Sequence, residues 1–204
     1  MEDLPQMLNS MQTGTERIRD IMSSLRTFSR VDKSKVLSNL HDGLESTLLI
    51  LGHRIKANSE RPAIQLIKEY GSIPQVECFA GQVNQVFMNL LANAIDALDE
   101  RCAQRSYREN EQDLAKIQIQ TRTIENQQVR ITISDNGTGM PESVRQKLFA
   151  PFFTTKPSSK GTGLGLSISH QIITEQHKGR IECISESGKG TTFMIEVPVK
   201  NDTE

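Results

Sequence analysis

The sequence lacks tryptophan and has few other aromatic residues, which together make up 4% of its 204 positions. Proteins that bind single-stranded nucleic acid usually stack bases on aromatic side chains, so this shortage argues against that function. The charges are balanced as well, with 24 lysines and arginines against 25 aspartates and glutamates and a formal net charge of −1. Because nucleic-acid-binding surfaces usually carry a basic excess, we expect no nucleic-acid partner.

Cysteine is scarce too, and long apolar runs are missing. The three cysteines, Cys78, Cys102 and Cys183, are odd in number and widely spaced, which fits neither a disulfide framework nor a zinc site and favours a reducing compartment. No apolar run reaches the roughly 20 residues of a membrane-spanning helix, and the N-terminus has no signal-peptide core. We therefore expect a cytoplasmic chain without membrane contact, whose full-length parent is either soluble or membrane-attached.

Apolar residues in the first thirty positions recur in alternating steps of four and three, which predicts one long helix of the bundle type. Such an apolar stripe is not stable alone in water, so the helix needs a partner. The pattern favours a homodimer through residues 4–30, with packing back onto the rest of the chain as the alternative. The stripe consists of Leu4, Leu8, Met11, Thr15, Ile18, Met22 and Leu25.

Beyond residue 33 the apolar periodicity switches repeatedly between the helical and the strand pattern. Strands interleaved with three helices predict an α/β (α+β) two-layer sandwich, in which a mixed, mostly antiparallel sheet packs on the helices. We divide the chain into a helical segment 1–33, a domain 34–199 and a tail 200–204. The predicted helices cover 37–55, 79–102 and 164–176, and the predicted strands cover 63–68, 116–123, 128–134, 180–185 and 191–197. The segments 104–113 and 135–163 are predicted to be loops.

The helix predicted at residues 79–102 carries the run N-Q-V-F-M-N-L-L-A-N-A-I-D-A-L. Asn89 and Asn93 are four residues apart, so they share one face, opposite the apolar stripe. Two amide oxygens suit a Mg²⁺ ion that keeps most of its waters and carries phosphates. The alternative is that both amides are simply solvated.

The strand 128–134 leads into a second motif, D-N-G-T-G-M. The period of two places Asp135 on the same inward side as Ile131 and Ile133. A buried carboxylate needs a hydrogen-bond donor, and the amino group of adenine is one. Gly137 and Gly139 would let the backbone approach a flat ring. An ordinary hairpin turn with an Asp-initiated loop is the alternative.

The third motif is F-A-P-F-F-T-T-K, at residues 149–156. We expect Phe149, Phe152 and Phe153 to anchor the loop by apolar contact. The polar residues after them, Thr155 and Lys156 among them, would then face phosphate. A satellite apolar cluster with exposed polar neighbours is the alternative.

The fourth motif is the glycine-rich stretch K-G-T-G-L-G-L-S-I-S, which enters the last predicted helix. Gly161, Gly163 and Gly165 would leave unpaired N–H groups at the positive end of that helix, where phosphate binds readily. The stretch does not match the P-loop pattern, and it does not follow a strand of a dinucleotide-binding unit. Taken alone it is a weak indication.

In this order and spacing the four motifs closely resemble the N, D-x-G-x-G, F and G-x-G-x-G boxes of Bergerat-fold ATPases and kinases, and within them the sensor histidine kinases. The resemblance covers about residues 34–199 and includes the G-T-T-F stretch that starts at Gly190. It implies that Asn93 binds Mg²⁺, that Asp135 binds adenine, and that the segment 141–160 closes over ATP. Further nucleotide contacts are implied for Gly137, Gly139, Thr155, Lys156, Lys160, Gly161, Thr162, Gly163, Leu164, Gly165, Leu166 and Thr191.

Asn89 separates this chain from the members of the superfamily that hydrolyse ATP. Those relatives have a glutamate at this position as the base for water, whereas an amide orients but does not accept a proton. Asn89 is therefore expected to orient the catalytic site, and it is a second candidate Mg²⁺ ligand. Many relatives have Lys or Arg where this chain has Asp96, so we expect Lys156 or Lys160 to supply the missing positive charge, with Lys156 acting in catalysis.

The histidines complete the comparison with the family. The acceptor motif H-E-x-x-[NT]-P does not occur, and His41 is interpreted as a surface or packing residue. Residues 1–33 then resemble the second helix of a dimerisation hairpin without its acceptor. The resemblance implies the Mg²⁺- and ATP-dependent catalytic part of a two-component sensor histidine kinase, which phosphorylates a histidine on another helix and then a response-regulator receiver domain. A serine/threonine kinase of the anti-sigma-factor type and a degenerate nucleotide-binding docking module are the alternatives.

Overall fold

The computed structural model describes residues 34–125, 127–156 and 163–200. The helix and the dimer contact predicted for residues 4–30 lie outside the described residues, as does the tail after residue 200. The division at residues 33 and 199 stays a prediction.

Five strands form the main sheet and two short strands form a separate pair. The sheet order is β2-β4-β5-β7-β6, where β2 and β4 are parallel and the other neighbours are antiparallel. The short strands β1 and β3 pair antiparallel at one side. The strands are β1 (Val36–Ser38), β2 (Gln65–Tyr70), β3 (Val76–Cys78), β4 (Lys116–Ile124), β5 (Gln128–Asp135), β6 (Arg180–Glu186) and β7 (Gly190–Pro198).

Helices cover one face of this sheet. The longest is α3, and it packs against α1, against α6 and against β5. The helix α6 continues directly into a π-helical segment, Ile172–Gln176. The helices are α1 (Leu40–Ile50), α2 (Gly52–Ile55), α3 (Ala80–Ala103), α4 (Tyr107–Gln112), α5 (Glu142–Arg145) and α6 (Gly165–Gln171).

Alternation along the strands places the core between the sheet and α3. In β5 every second residue is buried, which points β-branched side chains at the helices and leaves the polar ones between them on the other face. The apolar stripe of α3 fills the space opposite. Side chains with 0% exposure include Phe87, Leu90, Leu91, Ile95 and Leu98 of α3 and Ile117, Ile119, Val129 and Ile131 of the sheet.

The predicted fold class is confirmed: a mostly antiparallel sheet packs on helices in two layers. All three cysteines are buried thiols. The nitrogen Nε2 of His41 lies 2.8 Å from Thr121 Oγ1, and the ring stacks on Tyr70, as expected of a packing histidine. None of the described helices combines the length and the apolar character needed to cross a bilayer.

Three local predictions were wrong, each for a physical reason. Leu37 is not in a helix but in β1, where it is 61% exposed, because Asn39 caps the following helix by accepting from the His41 N–H. The strand β3 was missed because three residues carry too little periodicity. The segment 104–113 is not all loop, since a capping box between Ser106 and Glu109 starts the short helix α4.

Replacing Leu90 tests whether the α3 stripe holds the domain together. Because its side chain has 0% exposure, we expect Leu90→Ala to lower the free energy of unfolding by about 2–5 kcal/mol. The matched control is Leu49→Ala on α1, where the leucine is 44% exposed, and its cost should stay below about 1 kcal/mol. Urea denaturation followed by circular dichroism measures both. Equal losses for the two variants would contradict the core described above.

Candidate nucleotide-binding site

The polar face of α3 begins with Asn89. The side-chain Nδ2 of Asn89 donates to the carbonyl oxygen of Gly165 at 2.9 Å and to Ser169 Oγ at 3.1 Å. A Cβ added at Gly165 would make ordinary contacts of 3.5–3.7 Å with the Asn89 amide, which shows how closely the start of α6 approaches this side chain. The Asn89 amide therefore fixes the first turn of α6 on α3.

One turn further along α3, Asn93 contacts a positive charge. The ammonium of Lys156 donates to Asn93 Oδ1 at 2.8 Å and to Asp96 Oδ2 at 2.5 Å. The other oxygen of Asp96 accepts from Arg54 Nη2 of α2 at 2.6 Å. Burial raises the pKa of the Asp96 carboxyl, but the hydrogen bonds from Lys156 and Arg54 outweigh it and hold that pKa below its ordinary value.

This contact is also a test of whether the donor set suits a cation. An amide oxygen and a carboxylate oxygen converge on one point, and a tethered ammonium occupies it. Amide and carboxylate oxygens are the ligands that Mg²⁺ prefers in proteins. The residues present on α3 therefore fit a hard cation at Asn93.

Asp135 ends β5 at the far side of α3. Its Oδ1 accepts from the N–H of Gly137 at 2.8 Å, and the N–H of Thr191 on β7 also donates to the carboxylate. Burial outweighs these two donors and raises the pKa of Asp135 from 3.8 to about 6. The carboxylate is thus half-desolvated yet ionised near neutral pH, and it can accept a further hydrogen bond.

The glycines after Asp135 allow the backbone to pack tightly against protein. A Cβ added at Gly137 would lie 2.8 Å from the Ala97 Cβ of α3, and one at Gly139, where φ is +63°, would lie 2.0 Å from the carbonyl oxygen of Glu186. The sequence predicts that these glycines let a flat ring approach the backbone. In the structure, the close neighbours are α3 and β6, so the glycines set the position of the carboxylate.

Two polar residues that support this end were missed by sequence reasoning. Ser185 Oγ on β6 accepts from the N–H of Met140 at 2.9 Å and lies 3.0 Å from Thr191 Oγ1. Arg101, buried near the end of α3, donates to the carbonyl oxygen of Asn136 at 2.8 Å. An arginine at the end of a helix gives no local sequence signal for this contact, because its partner lies 35 positions away.

The third and fourth motifs are brought together at the start of α6. Gly163 has φ +67°, and a Cβ there would lie 2.4 Å from the backbone carbon of Phe152. Phe149 is partly buried against the core, and its ring lies 5.0 Å from that of His170. Phe152 is 75% exposed, so the prediction that it anchors the loop was wrong: its φ of +63° turns it away from the core.

The remaining predicted contacts surround the same region. Leu166 is partly buried against the core, Leu164 ends the loop before α6, and Thr155 is exposed beside Lys156. Lys160, Gly161 and Thr162 lie outside the described residues.

The two polar ends are joined by one helix. Ala97, against which Gly137 packs, follows Asn93 by four residues and lies on the same face of α3. The loop that follows Asp135 therefore contacts α3 one turn beyond Asn93, on the face that carries the cation-holding oxygens. A ligand with a hydrogen-bond donor at one end and an anion–metal group at the other matches this arrangement.

The raised pKa of Asp135 makes a prediction for the nucleotide-free protein. A carboxyl whose pKa is higher in the folded state stabilises the fold at low pH, and this contribution is lost as pH rises from about 4 through about 6. Asp135→Asn removes the titration, so the stability of the variant relative to wild type should increase by at most about 3 kcal/mol between pH 4 and pH 7. Urea denaturation at the two pH values measures the difference.

Asp113→Asn is the control for the Asp135 prediction. A hydrogen bond from Arg105 holds the pKa of Asp113 below its ordinary value of 3.8. The stability that this group contributes is lost only below about pH 4, so this variant should change little relative to wild type between pH 4 and pH 7. Parallel pH profiles for Asp135→Asn and wild type would contradict the desolvated carboxylate.

The fold and the four motifs agree with comparisons to known proteins. The profile of the family described as "Histidine kinase-, DNA gyrase B-, and HSP90-like ATPase" matches residues 80–201. Sensor kinase CckA of Brucella abortus (strain 2308) is 37% identical over 199 residues, which is 95% of this chain and 20% of that protein. Sporulation kinase E of Bacillus subtilis (strain 168) is 34% identical over 79% of this chain and 19% of its own length. The chain thus spans about a fifth of these relatives.

Solved structures show the same relationship. The catalytic domain of histidine kinase ThkA, in a nucleotide-free form, superposes with a TM-score of 0.64 at 28% identity, over 81% of this chain and 95% of that domain. Full-length ShkA in complex with AMPPNP shares the fold, with a TM-score of 0.65 at 17% identity, over all of this chain and 40% of ShkA. The chain therefore belongs to the histidine kinase-, DNA gyrase B- and HSP90-like ATPase family, and its described part is an ATP-binding catalytic domain of the histidine kinase type.

Proposed function

We propose that this domain binds Mg-ATP and transfers the γ-phosphoryl group to a histidine on a separate helix, as part of a two-component sensor histidine kinase. The observation that carries the proposal is a pair of polar groups, a carboxylate at the end of β5 and a cation-holding amide on α3. The Asp135 carboxylate is held by two backbone N–H groups, and Asn93 holds the Lys156 ammonium on the face of α3 against which Gly137 packs. The names of the relatives, which are sensor and sporulation kinases, support the same activity.

The Asp135 end selects the base. With a pKa of about 6, the carboxylate is ionised at neutral pH and accepts a hydrogen bond from the amino group of adenine. Guanine has a carbonyl oxygen at the corresponding position, which would face the carboxylate as a second acceptor. The donors Gly137 and Thr191 fix the carboxylate so that it does not turn away from the base.

The Asn93 end holds the phosphates. A Mg²⁺ ion held there would neutralise the negative charge that develops on the phosphates during transfer. Asn93 Oδ1 would be the protein ligand of Mg²⁺. Asn89 is the second candidate ligand. Because its Nδ2 already donates to Gly165 and Ser169, only the side-chain oxygen of Asn89 can face a metal. The ammonium of Lys156 and the N–H groups at Gly163 and Gly165 would contact phosphate oxygens.

Transfer is favoured over hydrolysis by the chemistry of Asn89. Activation of water needs a base, and an amide does not accept a proton at neutral pH. An incoming imidazole is already a nucleophile and needs positioning rather than deprotonation. The amide of Asn89 fixes α6 on α3, which orients the glycine-rich segment for that purpose.

The proposed partners follow from the relatives. A structure of ThkA, 24% identical to this chain, contains the response regulator TrrA, so we include a receiver domain among the partners. The acceptor histidine would be supplied by a dimerisation helix of the full-length kinase. Residues 4–30 would pair with such a helix or with a second copy of the chain.

Phosphoryl transfer in trans tests the proposal. The chain is mixed with labelled Mg-ATP and a separately expressed acceptor hairpin from a related sensor kinase, and acid-labile phosphohistidine is measured. We expect label on the hairpin with wild type, and a loss of at least roughly 100-fold for Asn93→Ala, because the metal ligand is removed. The control Gln120→Ala changes an exposed amide on the outer face of β4 and should retain activity.

Two results would contradict the proposed function. Acid-stable label on serine or threonine would support the anti-sigma-factor type of kinase instead. Tight nucleotide binding with no transfer to any acceptor hairpin would support a docking module.

A further inference from the structure

The ammonium of Lys156 occupies the cation position of the proposed site. Its Nζ lies 2.8 Å from Asn93 Oδ1, the oxygen assigned to the metal, and 2.5 Å from Asp96 Oδ2. A Mg²⁺ ion at Asn93 would share one ligand oxygen with this ammonium. Two cations at so short a distance repel each other strongly. The described conformation and the metal-loaded conformation therefore exclude each other.

We propose that Asp96 and Lys156 form an electrostatic catch that keeps the nucleotide-free site closed to metal, and that Mg-nucleotide binding opens it by displacing Lys156 from Asn93. The inference rests on the proposed function, because it takes Asn93 as the metal ligand. It assigns Asp96 a positioning role, which explains why an acidic residue is present where many relatives have a basic one.

The catch is part of a larger charge network at the junction of α2 and α3. Arg54 Nη2 donates to Asp96 at 2.6 Å and to Asp99 at 3.2 Å. Arg61, whose exposure is 1%, donates from Nε to Asp99 at 2.8 Å. The buried Arg61 also donates to backbone carbonyl oxygens of Arg54, Lys56 and Pro62, which anchors α2 and with it Arg54.

Arg54 and Lys156 therefore share one carboxylate from opposite sides. Each cation reduces the negative charge that the other one experiences, so Arg54 weakens the hold of Asp96 on Lys156. Loss of Arg54 should tighten the catch, whereas loss of the Asp96 charge should release it. The two losses have opposite effects on the Lys156–Asp96 contact because both cations share the Asp96 carboxylate. Proximity to the nucleotide alone would not predict this opposition.

A released Lys156 stays near the phosphates because it is tethered by the segment after Phe153. Its ammonium, freed from Asn93 and Asp96, can pair with phosphate oxygens, which replace the carboxylate as its counterion. The same lysine would thus exclude the metal from the empty site and contact the phosphates of the loaded site. No charge is left without a partner in either state.

Nuclear magnetic resonance of lysine side chains tests the catch without nucleotide. In the full 204-residue chain with labelled lysines, a hydrogen-bonded Lys156 ammonium should give a shifted signal with slow proton exchange, assigned from its loss in Lys156→Met. We expect Asp96→Asn and saturating Mg-AMPPNP each to abolish that signal. The control Glu45→Gln breaks the Lys68–Glu45 pair, whose lysine is 36% exposed against 34% for Lys156, and should leave it unchanged.

A double-mutant cycle in nucleotide affinity separates the catch from simple repulsion between Asp96 and phosphate. Calorimetry of Mg-ADP binding is compared for wild type, Asp96→Asn, Lys156→Met and the double variant. With the catch, Asp96→Asn binds about two- to fivefold tighter, and this gain disappears in the Lys156→Met background. Arg54→Met should bind about two- to fivefold weaker than wild type.

Each outcome decides one question. The catch is overturned if Asp96→Asn raises the Mg-ADP affinity equally with and without Lys156, or if the Lys156 signal persists in Asp96→Asn. Nucleotide binding by wild type would in that case still support the proposed function. A Lys156 signal that persists in saturating Mg-AMPPNP overturns the displacement. Failure of every variant to bind Mg-ADP, with the Lys156–Asp96 contact intact, overturns the proposed function, and the role of the catch with it.

Discussion

Burial of one face of α3 is the constraint on which the rest of the structure depends. Its apolar stripe lies between α1 and the sheet, and six of its apolar residues have 0% exposure. Because that face is fixed, the opposite face has a fixed direction, and Asn89, Asn93 and Ala97 stand in one row along it. The loop after β5 packs on Ala97 at one end of this row, and the start of α6 packs on Asn89 at the other.

The polar groups of the site contact neighbouring polar groups of the chain. The Asp135 carboxylate accepts from two backbone N–H groups, Asn89 donates to α6, and Lys156 takes the position of a cation at Asn93. A cation at Asn93 must therefore replace an existing contact, whereas the Asp135 carboxylate can accept an additional donor. ATP is suited to this replacement, since its phosphates offer Lys156 a new counterion and its amino group offers Asp135 a further donor.

Much of this arrangement could be predicted from the sequence, because the motifs lie on elements with strong periodicity. The helix α3 and the strands β4 and β5 were predicted to within one or two residues, and they carry Asn93 and Asp135. The pairing of Lys156 with Asp96 was not predictable in the same way, since it joins positions 60 residues apart. Nor was the role of Gly137, because a glycine in a loop does not indicate whether its close neighbour is a ligand or Ala97 of α3.

Discrimination between ATP and GTP tests the central claim, that the partly buried carboxylate at the end of β5 binds adenine beside a metal site on α3. Isothermal calorimetry with Mg²⁺ would compare both nucleotides on wild type and on Asp135→Asn. The account predicts that wild type binds ATP at least about 100-fold more tightly than GTP, and that the variant loses most of this difference through weaker ATP binding. Equal affinity of wild type for the two nucleotides, or unchanged ATP binding by the variant, would contradict it.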